Sequence, residues 1–313
     1  MPVKHTALGR FKHEAATVHI TDDGTVVSYS GDDERFDYMY KFVSSRKMQP
    51  GNSRAAMRHN MTLLDAGTLY VAKLSGDHPD EIDGSGTLPE AGEFRGSGEW
   101  IPLLRANEDG SAESLVDGMS AEEVAVFTAS PATGVGATKM DRPEDFEPNP
   151  VTGKVYVALT NNTKRGVDGA APADEANPRE NNKNGQVLEI DDDHAGTSFT
   201  WTLLLVCGDP NEADTYFGGF DKSQVSPISC PDNLPSIRTA TCGSRPTATH
   251  SAPTTDCSAS SSTDRAAVRR SSSSPCRSAP RRAGRSCRTA GSWCASSIPG
   301  RPTTRRGRRR PRT

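Results

Sequence analysis

The sequence predicts an all-β fold, and three observations carry that reading. Residues 1–234 alternate apolar and polar side chains with period two in short runs, Gly, Asp and Asn punctuate the runs, and one turn-then-strand template occurs twice. In chain order, ATVHITDDGTVVSYSG (16–31) reads as strands about a tight turn, and YMYKFV (38–43) and GTLYVAKL (67–74) as further strands. KVYVALTNN (154–162), QVLEI (186–190) and FTWTLLLV (199–206) continue the series, while long helices are scarce.

The repeated template is LLDAGTLYVAKL at 63–74 and NPVTGKVYVALTN at 149–161. A turn-and-strand unit recurring along an all-β chain suggests propeller blades, each needing its neighbours to cover its faces. A β-sandwich is the alternative. Two polar insertions, at 75–100 and 164–185, separate the strands. They read either as ligand-binding loops at blade ends or as plain surface loops.

The net charge of -3 is an average of opposites: residues 235–313 hold 17 Arg, no Lys, two Asp and no Glu, or +15, against -18 for residues 1–234. Beyond Leu234 the large apolar residues are Ile237, Val268, Trp293 and Ile298, too few to offset the entropy of ordering, so a disordered Arg/Ser-rich tail is expected. Domain limits of 1–234 and 235–313 follow. An Arg-rich arm can neutralise nucleic-acid phosphates, which is the functional alternative for the tail. Its cysteines at 242, 257, 276, 287 and 294 form no CxxC pair and have no His at zinc-ligand spacing. No run of 18 apolar residues occurs, which excludes a membrane-spanning helix, and the first residues lack the apolar core of a secretory signal.

Candidate chemistry gathers in GRFKHEAA (9–16), GDDERFDYMYKF (31–42), DRPEDFEP (141–148) and CPDN (230–233). Each sets carboxylates, amides or a cation beside a predicted strand. Asp, Glu and Asn oxygens from several blades suit calcium, and an Arg suits a pair of anionic oxygens. Taken singly, each is also a solvated turn. In DRPEDFEP, Arg142 is flanked by Asp141 and, across Pro143, by Glu144; a salt-bridged turn is its bland reading. HEAATVH, beginning at His13, is not a zinc-protease helix, because the next His is His19 rather than a residue four positions on. No G-x-S-x-G elbow or P-loop occurs.

Taken together and in order, LGRFKHEAA, GDDERFDYMYKFVS, DRPEDFEPNPVTGKVYVALTNN, NPRENNKNGQVLEI and FGGFDKSQVSPISCPDN resemble the PhoX-type alkaline phosphatases, from about Leu8 to Leu234. The resemblance implies an incomplete six-bladed β-propeller, with a calcium and iron cluster at one end of its channel, hydrolysing phosphate monoesters. By motif position it makes Glu14 and Glu144 metal ligands, Asp232 and Asn233 calcium ligands, and Arg142 the residue that binds phosphoryl oxygens. Asp32 and Asp33 match the family pattern without an assigned role. The implied partner is a phosphate monoester, with no nucleic acid and no membrane, and a monomer is expected. Calcium-dependent hydrolysis of lactonase type, with one metal and no phosphate-binding Arg, and a non-enzymatic calcium-binding or interaction propeller are the alternatives.

The family pattern is departed from at both ends. Family members carry an N-terminal portion with a twin-arginine export signal and iron-holding Cys and Asn-His-Glu segments; with these read as not occurring here, a cytoplasmic location is expected for the chain as it stands, with impaired or absent activity. After Leu234 the text changes as a one-base loss predicts. Codons compatible with Leu234–Ser260, read in the neighbouring frame, give AFDPDGNLWVSADGNALGTHDGLFGV, whose DPDG turn and NLWV strand repeat the blade template. On that reading the tail is an out-of-frame echo, its charge has no function, and the nucleic-acid arm falls.

Overall fold

The structure is a computed structural model that describes residues 3–234 throughout and, beyond them, the backbone of three short strands at 236–237, 241–246 and 257–260. The chain divides into compact units of residues 1–272 and 273–313, the second lying wholly outside the described residues. Against the disorder expected throughout the tail, residues 236–237, 241–246 and 257–260 are strands, and the rest of 235–313 lies outside the described residues.

The all-β expectation is met by two antiparallel meanders. The first comprises β1 (His13–Ile20), β2 (Thr25–Asp32), β3 (Met39–Lys47), β4 (Gly67–Gly76) and β5 (Arg95–Ala106), with β6 (Ala112–Ser114) paired to β5. The second, β7 (Pro143–Pro148), β8 (Val155–Leu159), β9 (Gln186–Asp192) and β10 (Ser198–Val206), has the four-stranded build of a propeller blade. β10 also pairs with β11 (Tyr216–Phe217) and, across the meanders, with β5, where Ser198 faces Glu99 and Thr202 faces Arg95. The sheet runs β1-β2-β3-β4-β5-β10-β9-β8-β7 and curls until β7 packs against β1 and β2 without a hydrogen-bonded ladder. β12 (Pro231–Asn233) lies beside β7 and β8, and its backbone pairs with β14 (Thr241–Pro246), which also pairs with β13 (Ser236–Ile237) and β15 (Cys257–Ser260).

Alternation builds the core on both sheet faces. Val155, Val157 and Leu159 of β8 join Tyr29, Met39, Phe146, Leu188 and Trp201 in the cluster shared by both meanders, while Tyr156 and Ala158 face a second cluster with Leu205, Phe217, Ile228 and Leu234. A third cluster, with Tyr40, Phe42, Leu69, Val71 and Leu103, is covered by helices α2 (Ala121–Val126) and α3 (Ala129–Gly134) through Val124 and Ala132. Ser120 and Glu123 form a capping box that starts α2. The earlier helix α1 (Arg54–Asn60) begins at the Ser53 cap.

The repeated template forms strands in both copies, but β4 is fourth in its meander and β8 second in the other, so the two copies are not equivalent blade positions. The 75–100 insertion contains the start of β5, the longest strand described. Most of the 164–185 insertion is not a solvated loop: Arg165, Asn177, Arg179 and Asn182 are buried within it. Lys41 Nζ donates to Asp192 at 3.0 Å, Tyr29 OH donates to the same carboxylate at 2.6 Å, and His194 stacks on His19, so β1, β2, β3 and β9 are tied together.

Candidate active site

The motifs singled out in the sequence converge where β7 meets β1 and β2. Glu14 sits opposite Gly31 in the β1–β2 ladder, just before a bulge at which Ala15 takes φ 53°. Gly31 has no side chain for a reason visible across the seam: a Cβ there would overlap the carbonyl group of Pro143. That close approach brings β7 onto β1 and β2. A second irregularity, between Pro143 and Phe146 in the β7–β8 ladder, falls at Glu144 and Asp145. The segment read as a charged turn is therefore a bulged strand.

Two further contacts dock β12. Thr160 Oγ1 donates to the Pro231 carbonyl, and the Leu234 amide donates to Asp145 Oδ2 at 2.7 Å. Cys230, at φ 52°, turns the chain into β12, and its amide donates to Asn184 O at 2.8 Å. Arg142 itself takes φ 59°. Left-handed backbone at Ala15, Arg142 and Cys230 costs each residue about 1–2 kcal/mol, so surrounding packing must over-determine all three turns.

The Arg142 guanidinium is the centre of the cluster. Its Nη2 lies 2.7 Å from Asp33 Oδ1 and 3.3 Å from Glu144 Oε1, with Arg142 a quarter exposed and Glu144 only 10% exposed. Glu144 shares a hydrogen bond with Asp232, and Glu14 lies within electrostatic reach of Asp33, Asp145, Asp232 and Arg142. One guanidinium does not balance these carboxylates. Burial, then the hydrogen bond and charge of Asp232 and the charge of Asp33, push Glu144 up to about 9. Burial followed by its acidic neighbours raises Glu14, and burial raises Asp145 against the opposing Leu234 and Phe146 amides. Asp32 is pushed up to about 6, chiefly by burial and then by Asp37.

Of the sequence-predicted residues, Glu14, Arg142, Glu144 and Asp232 come together. Asn233 stands beside Asp232 on β12 with its side chain exposed. Asp33, matched in the sequence but without a role, proves to be the ion-pair partner of Arg142, and Asp145 was not singled out as a separate residue. The HEAATVH segment is strand β1, in agreement with the exclusion of a zinc helix.

The donors suit a hard cation in kind: all are oxygens, they crowd negative charge, and Asp33 Oδ1 is a buried atom with an ion pair but no aligned hydrogen bond. Among the described residues no group of three or more His, Cys, Asp or Glu is drawn closely enough to hold a metal ion. The fit is thus one of chemistry and charge. Among the described residues no donor set particular to iron joins the cluster, since Cys207 is buried in the second core cluster and Cys230 turns its Sγ to Lys183 O.

Comparison with known proteins identifies the family. A family described as alkaline phosphatase PhoX matches residues 1–239. The solved structure of Pseudomonas fluorescens PhoX in complex with vanadate, a transition state analogue, is similar at 35% identity and a TM-score of 0.68, over 86% of this chain and 45% of that one. The chain therefore spans less than half the length of that relative. No curated protein matches the chain. No helix among the described residues is long and apolar enough to cross a membrane. With the family match covering residues 1–239, this chain belongs to the PhoX alkaline phosphatase family.

Proposed function

We propose that the cluster around Arg142 is a phosphomonoesterase site that takes a phosphate monoester dianion with calcium and iron as its metals. The observation that carries the reading is the placement of Arg142 between Asp33 and Glu144, with Glu14 and Asp232 close by. A guanidinium fork matches two phosphoryl oxygens, and the two flanking carboxylates hold it extended toward the seam before substrate arrives. As substrate binds, Arg142 exchanges part of its pairing with Asp33 for the phosphoryl oxygens.

An acidic cluster repels a dianion unless cations neutralise it. Glu14, Glu144, Asp232 and Asn233 would hold those cations, with calcium supported by the oxygen donors and iron by family membership. Bound metal ions supply charge neutralisation and polarise a phosphoryl oxygen. Export by the twin-arginine route belongs to the family. We also infer that residues 235–313 are the out-of-frame continuation of a further blade; the family match ends at residue 239, five residues past Leu234.

The test is hydrolysis of p-nitrophenyl phosphate by the chain with calcium and ferric iron added, beside Arg142→Ala. Turnover that depends on the metals and falls in the variant supports the reading, and its size measures the expected impairment. Calcium-dependent lactone hydrolysis unchanged in Arg142→Ala would establish the lactonase-type alternative instead.

A further inference from the structure

The residue before Arg142 is used by nothing in the proposed chemistry, yet it is among the most deeply buried charges in the molecule. Asp141 has no exposed surface. Its Oδ1 accepts from Arg165 Nε at 2.6 Å and its Oδ2 from Asn182 Nδ2 at 2.9 Å. Arg165, itself 1% exposed in its side chain, is fixed in turn by the carbonyls of Lys139, at 2.6 Å, and Pro172, at 2.8 Å. Asn182 also donates to Gln186 Oε1 at 2.6 Å and accepts from the Gly185 amide at 2.9 Å. The insertion at 164–185 thus ends as a buried polar plate beneath the Asp141–Arg142 step.

We propose that Asp141 is the positioning residue for Arg142, acting through the backbone rather than on substrate; the inference rests on the phosphatase reading for its consequence. At φ 59° Arg142 sits in a conformation its side chain disfavours, and the turn persists only if clamped from both sides. Asp141 supplies the clamp before it. Pro143, seated on Gly31, supplies the one after it, and the Thr160 amide holds the Arg142 carbonyl at 3.1 Å. Between these clamps the left-handed step sends consecutive side chains to opposite sides: the Asp141 carboxylate goes into the interior and the Arg142 guanidinium to Asp33 and Glu144. Release of the Asp141 carboxylate lets the step relax toward ordinary backbone, which swings the guanidinium off the oxyanion position.

The experiment compares the full chain with Asp141→Ala, Asp141→Asn, Arg165→Lys and the core variant Leu188→Ala, all well below their melting temperatures. Two quantities are read: inorganic phosphate affinity by calorimetry with calcium present, and the Arg142 Nε–H resonance, assigned by its loss in Arg142→Lys. Asp141→Ala is expected to weaken phosphate by roughly ten- to a hundredfold, the range for losing a hydrogen-bonded charge, and to collapse the resonance to the solvent-exposed position. Asp141→Asn, which keeps an oxygen for Arg165, falls between. Leu188→Ala melts lower but keeps both. Were Asp141→Ala unable to fold, Asp141→Asn and Arg165→Lys carry the same comparison. An unmoved resonance and unchanged phosphate affinity alongside a lowered melting temperature would overturn the proposal, making Asp141 a brace of the fold alone. If the unsubstituted chain binds no phosphate, the phosphatase reading fails, and the resonance still decides the positioning of Arg142.

Discussion

Gly31 of β2 packs on Pro143 of β7 so closely that no side chain fits between the two backbones. Gly31→Ala is expected to push β7 off β1 and β2, destabilising the chain by about 1–3 kcal/mol, the usual range for overpacking. Because Glu144 follows Pro143, the same change separates Glu144 from Glu14. A thermal melt together with phosphate calorimetry checks this; an unaltered melt would mean that the seam yields freely.

Arg142 carries opposite demands from chemistry and backbone. Arg142→Ala and Arg142→Gly are both expected to lower kcat/KM by about 10²–10³, as for loss of a charge-stabilising donor. Only glycine relieves the φ of 59°, so Arg142→Gly should melt above Arg142→Ala, by the equivalent of about 1 kcal/mol. Equal melts would show the turn to be unstrained.

Calcium should stabilise the chain, because a cation relieves the repulsion among Glu14, Asp33, Glu144 and Asp232. At a hundred times its dissociation constant the gain is about 2.7 kcal/mol. Glu144→Gln removes a carboxylate whose oxygen is 3.3 Å from Arg142 and should reduce that gain sharply. Calorimetric melts with calcium and with chelator measure both; a gain retained in full by Glu144→Gln would place the ion elsewhere.

Acid should weaken the tie among β1, β2, β3 and β9. The rings of His19 and His194 stack with centroids 3.8 Å apart, and Tyr29 OH lies 2.9 Å from His194 Nδ1. Burial above all lowers both histidines below their ordinary value, reinforced at His19 by the His194 ring beside it. A lowered histidine stays neutral in the fold while the unfolded chain takes up protons near pH 6.5, so the stabilisation is present above about 6.5 and lost as pH falls through the lowered values. Asp22, Asp192 and Asp193 oppose the shift from their side and Lys41 reinforces it at His194. Urea midpoints at pH 7.5 and 5.5 should differ more in the unsubstituted chain than in His194→Gln.

The out-of-frame reading of residues 235–313 predicts a specific lesion. Sequencing the gene around the Leu234 codon should reveal a lost base relative to an uninterrupted relative, and restoring it should extend the chain with a DPDG turn and NLWV strand. An intact frame in the messenger would return the tail to consideration as a real Arg-rich segment.

The sheet was legible wherever one face is apolar: β2, β3, β4, β8, β9 and β10 lie where period-two alternation put them. β5 was hidden because it opens RGSGE, small and charged residues that read as loop, and becomes apolar only from Trp100. The helices α2 and α3 were missed because six residues each give too short a period, and packing on the third core cluster rather than propensity sustains them. Motif order gave Glu14, Arg142, Glu144 and Asp232. It could not give the Asp33–Arg142 pair, which depends on Gly31 admitting β7 from more than a hundred residues away. Nor could it show that Arg165 and Asn182 are buried, since polar composition normally signals water, and here other polar groups take its place.

The curled sheet meets itself without a ladder. Between the loop after β2 and the approach to β7 the joint has the Arg35–Asp141 bridge and two backbone bonds, Phe36 N to Met140 O at 2.9 Å and Met140 N to Asp37 O at 3.0 Å. Such a joint opens at less cost than a continuous ladder, and the acidic residues that face each other across it favour opening. A cation or phosphoryl group lodged there works as a stitch, so occupancy and closure become one event. Amide hydrogens along β1 and β7, quick to exchange in the bare chain, should slow together when the stitch is made.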